Sequence, residues 1–189
     1  MAATGSVNTD NITTGAADRS ASAYIWRAPI GTEVPTDATT DLPSAFVCVG
    51  CIDKDGITQS VKETRVEEQD MRGVDVYDEL SDLSITYKMK IMETSANSDK
   101  IIWGKDSVTV GADGSWATRN VPVRKEGVWV WETLLKNGMI NRTVVPRGKV
   151  NAVGDISKKP GDVRKPEITL KALADDTGTP SYDYYAEAE

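Results

Sequence analysis

The hydrophobic and polar positions of this sequence alternate most regularly in residues 84–92 and 167–173. Successive side chains of a β-strand point to opposite faces, so strict alternation is typical of a strand with one buried face. We therefore predict half-buried, antiparallel strands in both segments. In the first, the apolar face carries Ile85, Tyr87, Met89 and Ile91, and the polar face carries Thr86, Lys88 and Lys90.

A third segment, residues 128–135, is apolar on both faces. Trp129 and Trp131 share one side, and valines and a leucine occupy the other, which predicts a central strand. Asn137-Gly138 then predicts a two-residue hairpin turn into the next strand. Further strands are predicted at 45–53, 107–110, 116–123, 139–145 and 149–156, with turns at Asp55-Gly56 and Asp113-Gly114.

Residues 57–80 read as a long hairpin that is too polar to be buried on both faces. Gly73 supplies a residue suited to positive φ near the turn. An isolated pair of strands this polar is marginal in water. We expect it to need neighbours that the chain itself does not supply.

A short helix is predicted between residues 93 and 104. Thr94 or Ser95 can cap its N-terminus, and Gly104 suits its C-terminal end. A helix this short depends on tertiary packing for stability. Its packing residues are Ile101, Ile102 and Trp103.

Together these elements predict a mainly β protein: a β-sandwich or partial barrel of about eight or nine antiparallel strands with one short helix. At 189 residues the chain fits one domain, with length left for arms. We divide it into an N-terminal arm at 1–23, a single β domain at 24–174 and an acidic C-terminal tail at 175–189. We expect both termini to be loose, with Tyr182, Tyr184 and Tyr185 free to dock on a neighbour.

Composition argues against catalysis and against tight binding of nucleic acid. The chain has no histidine, the commonest general base, and its formal net charge is -7. Its two cysteines, Cys48 and Cys51, lack a second pair to complete a zinc site, so we expect small buried or half-buried thiols. We predict no metal, no cofactor and no catalytic residues. No apolar run is long enough to cross a membrane and no secretory signal is visible, so we expect a cytosolic product without membrane contact.

The residues from Ala28 to Gly56 carry a distinctive pattern. It reads Ala-Pro-x-Gly-Thr-x-x-Pro-Thr-Asp-Ala-Thr, then Ala-Phe-x-x-x-Gly, then Asp-Gly. This pattern resembles the signature near the N-terminus of major tail proteins, or tail tube proteins, of long non-contractile tailed phages, chiefly those of actinobacteria. The order Ile-x-Glu-Thr, short helix, aromatic-Gly-x-Asp-x-Val at 91–108 matches the same family.

The resemblance implies a structural virion protein that forms stacked hexameric rings, a conduit for DNA ejection into the host. It implies assembly in the host cytoplasm, with further copies of the chain, the tape measure protein and the tail terminator or distal tail proteins as partners. Genomic DNA would pass without specific binding. The hairpin would line the tube, through Lys62, Thr64, Glu67, Asp75, Tyr77 and Glu79. Its tip would stack one ring on the next, through Gln69, Asp70, Met71, Arg72, Gly73 and Val74.

Two other classes of function remain open. A β-sandwich binding module, such as a head decoration or carbohydrate-binding protein, would use exposed aromatic rings for stacking. Its candidates are Trp116, Trp129 and Trp131, although core packing is the simpler explanation for them. An enzyme would need a catalytic group that the sequence does not visibly have.

Overall fold

The computed structural model describes residues 12–18 and 21–187. These residues form eleven strands and one α-helix, which confirms the predicted mainly β fold. The strands are β1 Gly15–Ala16, β2 Ile25–Pro29, β3 Val47–Cys48, β4 Ile52–Gln69, β5 Asp75–Ile91, β6 Val108–Val110, β7 Trp116–Thr118, β8 Gly127–Leu135, β9 Met139–Val153, β10 Glu167–Leu173 and β11 Tyr182–Glu187. Helix α1 spans Ala96–Trp103 and is followed by a 3₁₀ turn at Lys105–Ser107.

Nine of the strands form one antiparallel sheet, and seven of them follow each other in the order β3-β2-β8-β9-β10-β5-β4. Strand β1 adds to β8 and β11 adds to β9, while β6 and β7 form a separate two-stranded sheet. Within the described residues β3 and β4 remain unjoined edges, so the sheet does not close into a barrel.

Several predicted strands merge or break. The polar run after residue 75 and the alternating segment at 84–92 are one strand, β5, and the strands predicted at 139–145 and 149–156 are one strand, β9. Asp55-Gly56 is not a hairpin turn: Gly56, at φ 70°, lies inside β4 where the register with β5 shifts. Gly50, at φ 112°, interrupts the strand predicted at 45–53. Glycine adopts such angles at little cost, so the chain bends here without a side-chain clash.

Strand β8 is central, as its two apolar faces predict. Trp129 and Trp131 belong to the main core with Tyr87, which meets Trp131 edge to face at 4.7 Å between ring centroids. The opposite face of β8 forms a second, smaller core from Val128 and Val130. That second core is covered by side chains from three other segments: Val34, Leu42 and Phe46 of the loop after β2, Trp26, and Tyr182 and Tyr184 of β11.

The C-terminal tail is therefore not loose. Residues Tyr182–Glu187 pair with Met139–Val144 of β9, and the tyrosine rings at 182 and 184 stack with centroids 6.1 Å apart. Alternate residues of this strand face the second core. The acidic composition of the segment had suggested a loose tail and did not indicate this alternation. Of the predicted N-terminal arm, Gly15–Ala16 pairs with Leu134–Leu135, while residues 1–11 and 19–20 lie outside the described part of the chain.

Arg142 of β9 anchors the signature loop. Its side chain is only 5% exposed; Nε donates to Glu132 Oε1 at 2.8 Å, and Nη1 donates to the carbonyls of Asp37 and Thr40 at 3.1 and 2.8 Å. The Asp37 carboxylate caps the same turn by accepting from the backbone amides of Thr39 and Thr40. One buried guanidinium thus ties the Pro-Thr-Asp-Ala-Thr segment to the sheet.

Replacing Arg142 with methionine should lower the free energy of unfolding by about 2–3 kcal/mol, because it leaves the Glu132 carboxylate and two loop carbonyls without their hydrogen-bond donor. Urea denaturation measures the change. The matched control is Arg119→Met, an exposed arginine, which should change stability by less than about 0.5 kcal/mol. Equal losses in the two variants would contradict the anchoring role.

Helix α1 begins and ends as predicted. Ser95 caps its N-terminus in a capping box with Ser98, and Gly104 follows its last turn. Ile102 is fully buried in the main core, with Ile101 and Trp103 packed beside it.

Buried Asp99 ties this helix to β7 and to the loop before β10. Its carboxylate accepts from Trp116 Nε1 at 3.1 Å, Thr118 Oγ1 at 2.9 Å and Arg164 Nη2 at 2.9 Å. Burial alone raises the pKa of Asp99, but these hydrogen bonds outweigh it and hold the pKa below its ordinary value.

A carboxyl whose pKa is depressed by folding contributes stability above its unfolded pKa, about 4, and loses that contribution as the pH falls through the folded pKa. We expect Asp99→Asn to lower the free energy of unfolding at pH 7 and to flatten its decline below about pH 4. Urea denaturation between pH 2.5 and 7 tests this, with exposed Asp155→Asn as control. A decline in Asp99→Asn as steep as in the parent chain would contradict this role for Asp99.

Candidate assembly surface

Strands β4 and β5 form a hairpin whose outer half stands clear of the sheet. Ile85 is the last β5 residue that pairs with β10, so the segment from Asp75 to Ser84 extends beyond the sheet by roughly 30 Å. Every residue of both strands between Thr58 and Leu83 is exposed. The predicted long hairpin is confirmed, and it is longer than its polar segment suggested.

This hairpin is not purely polar. It carries eight large apolar side chains that are at least 43% exposed, listed as Val61, Val66, Met71, Val74, Val76, Tyr77, Leu80 and Leu83. Residues 60–84 also hold eight carboxylates against three basic side chains. Exposed apolar side chains in one contiguous element are typical of an interaction surface rather than of solvated edge residues.

The two faces of the hairpin differ in character. One face continues the main core outward: half-buried Ile57 and Ile85 pack on the core, and exposed Val61 and Leu83 follow on the same side. Arg65 on this face pairs with Asp78 through two hydrogen bonds of 2.6 and 2.9 Å. The other face is mostly Thr, Ser, Lys and Glu.

The six residues predicted to line a lumen divide between these faces. Residues at alternate positions along a strand share a face, and so do directly opposed residues of paired strands. The polar face carries Lys62, Thr64, Tyr77 and Glu79, and the face that continues the core carries Glu67 and Asp75. The Tyr77 hydroxyl donates a hydrogen bond to Glu79 along the polar face.

Of the predicted tip residues, 70–74 form the turn, and Gln69 is the last residue of β4. Asp70 Oδ1 accepts from the backbone amides of Arg72 and Val74 at 2.8 and 3.2 Å, while its Oδ2 accepts from the Arg72 side chain. Gly73 adopts φ 74°, where a side chain would be strained. Met71 projects from this ordered turn fully into solvent.

The outer edge of β4 is open. No described strand pairs with it along its 18 residues, although the Ile52 amide at its start donates to the Tyr24 hydroxyl at 2.6 Å. The β10 side of β5 is open from Asp75 to Ser84. Soluble proteins usually blunt exposed strand edges by shortening, covering or bending them. An open edge of this length therefore indicates a surface that a further strand completes.

A basic pocket was not predicted from the sequence. It has a volume of about 220 Å³ and lies between α1, the end of β2 and the start of β8. Its cationic side chains come from separate segments of the chain: Arg27, Lys100, Lys105, Arg124 and Lys125. No run of basic residues marks them in the sequence, so only the fold brings them together.

Of the aromatic residues proposed for carbohydrate stacking, Trp129 and Trp131 are buried, with 1% and 6% exposed. Trp116 is 39% exposed, and its indole N–H is donated to Asp99. Of the cysteines, Cys48 is half-buried as expected, but Cys51 is exposed, and both are free thiols. Residues 12–18 and 21–187 contain no cluster of metal-ligating side chains. No helix within these ranges is long and apolar enough to span a membrane.

The open edge and the exposed apolar side chains of the hairpin are features typical of a surface that contacts other chains. Comparison with protein families agrees: the model described as "Phage tail tube protein" matches residues 6–189. The chain belongs to the phage tail tube proteins, and it is a structural protein of the virion tail.

No curated protein matches the chain. Among solved structures, it is similar to a chain from a structure titled "Tail of empty GTA particle computed with helical refinement, C6 symmetry", at 12% identity and a TM-score of 0.39. That match covers 92% of this chain and 100% of the other.

Proposed function

We propose that six copies of this chain join edge to edge into a ring, and that rings stack into a hollow tube through which the genome passes. The open edge of β4 is the observation that carries this proposal. Its backbone donors and acceptors need a strand, and the open outer half of β5 in the next copy offers one. Repeated around a ring, this pairing leaves neither edge of the hairpin open.

The two faces of the hairpin then take different roles. The polar face, with Lys62, Thr64, Tyr77 and Glu79, lines the lumen. The face that continues the core, with Val61 and Leu83, packs against neighbouring copies and removes its apolar side chains from water. Glu67 and Asp75 belong to this second face.

Charge suits a passage for DNA. With a formal charge of -7 per chain, a ring of six carries 6 × -7 = -42. Screening limits the repulsion of phosphate to about 8 Å at physiological salt, so the wall prevents adhesion without forming a long-range barrier. The wall thus acts by shape and charge, without a chemical step.

The partners follow from this place in the virion. They are further copies of the chain, the tape measure protein inside the growing tube, and the tail terminator or distal tail proteins at its ends. Assembly takes place in the host cytoplasm.

Electron microscopy of the purified chain at increasing concentration tests the proposal. We expect rings with sixfold symmetry and filaments with a central hole. A chain that stays monomeric at every concentration and salt, and that is absent from purified virions, would overturn it.

Hydrogen exchange tests the pairing itself. In the isolated chain, backbone amides of residues 58–69 that point away from β5 should exchange rapidly, because no acceptor protects them. In tubes these amides should become at least tenfold more protected. Amides of β8, which is paired on both sides, serve as the control and should be protected in both states. Unchanged exchange at 58–69 in tubes would exclude this edge as the joint.

A further inference from the structure

The basic pocket between α1 and β8 holds positive charge that the described residues do not neutralise. Of its five cationic side chains, Lys125 alone pairs with a carboxylate, Asp106 at 2.9 Å. Arg27 and Arg124 donate to backbone carbonyls, and burial lowers the pKa of both. The one acidic residue in the lining, Glu126, is paired with Arg147 at 3.0 Å. In a chain of net charge -7, this is a local excess of positive charge.

The rest of the lining is apolar. Pro29, Ile101 and Val150 contribute, together with Ile30, which is 53% exposed. Trp129 also lines the pocket and buries an indole N–H that has no acceptor within the described part of the chain. A suitable occupant therefore combines an apolar side chain with carboxylates.

The tip of the β4–β5 hairpin has this composition. Residues 67–79 contain six carboxylates and one basic residue, Arg72, which the turn already pairs with Asp70. Met71 stands fully exposed at the apex, and its flexible side chain adapts to irregular apolar pockets. Glu68, three residues before Met71, is also exposed, while its neighbour Glu67 points to the opposite face of the hairpin.

The tip cannot occupy the pocket of its own chain. Ile85, Ala172, Gly148 and Gly127 lie in one row across β5, β10, β9 and β8. From that row the hairpin runs to its tip toward one end of the strands, while the pocket lies at the other end, beyond the start of β8. Contact between them requires a second copy in a head-to-tail arrangement.

We propose that the basic pocket receives the acidic hairpin tip of a second copy in the next ring, an inference that rests on the proposed tube. Met71 enters the apolar lining near Ile30. The carboxylate of Glu68 then faces Lys105 and Arg124. The contact is heterologous, so each ring uses its tips on one side and its pockets on the other.

Charge exchange tests this contact. Lys105→Glu and Glu68→Lys each place like charges together, and each should reduce the amount of tube at least tenfold while leaving rings intact. The double variant restores opposite charges and should recover tubes. Lys159→Glu, an exposed residue of a loop outside the pocket, makes the same charge change and should assemble as the parent does. Sedimentation and electron microscopy separate tubes from rings.

The outcomes distinguish the two proposals. If the parent chain forms neither rings nor tubes, the proposed function fails and this contact fails with it. If the parent forms tubes and Lys105→Glu forms them equally well, or if the double variant does not recover, the contact is wrong while the tube stands.

A cross-link gives a second readout that does not depend on charge variants. In a chain with Cys48→Ser and Cys51→Ser, the pair Met71→Cys and Ile30→Cys should form disulfides between copies when tubes are treated with a mild oxidant. We expect a ladder of linked chains on a denaturing gel, because each copy links to the next. Tubes that yield only single chains would overturn the contact.

Discussion

Strand β8 is apolar on both faces, and a strand of this kind is stable only when both faces are covered. The bent sheet and α1 cover the side that carries Trp129. The other side is covered by the loop after β2 and by β11, and buried Arg142 holds the loop in place. The signature segment thus covers the second core, and this packing explains why its apolar residues occur where they do.

Both cores lie within the sheet and its covering segments, and the outer half of the hairpin lies outside them. Its root packs on the core through Ile57 and Ile85, but its outer half has no neighbour in the described chain. The same sequence feature, alternating polar and apolar residues, serves folding at the root and exposes an apolar strip farther out. One face of the hairpin therefore packs on the core at its root and is free to contact other copies farther out.

Local patterns predicted the parts of the fold that depend on local rules. The alternation at Glu167–Leu173, the Ser95 cap and the Asn137-Gly138 turn lie where the sequence placed them, although the connection from Leu135 to Met139 has three residues and not the predicted two. The misses depend on distant partners. Strand β11 was missed because its pairing partner, β9, is distant in the sequence. Strand β5 was predicted as two segments because its exposed outer half lacks the alternating pattern of its buried half. The basic pocket was missed because its five cationic residues come together only in the fold.

Because the hairpin tip and the basic pocket lie at opposite ends of the strands, the two ends of the subunit differ in charge and shape. A stack held by such contacts has two unlike ends, one offering acidic tips and the other empty sockets. A filament with unlike ends would therefore offer two chemically distinct surfaces, one to further copies and one to a capping protein.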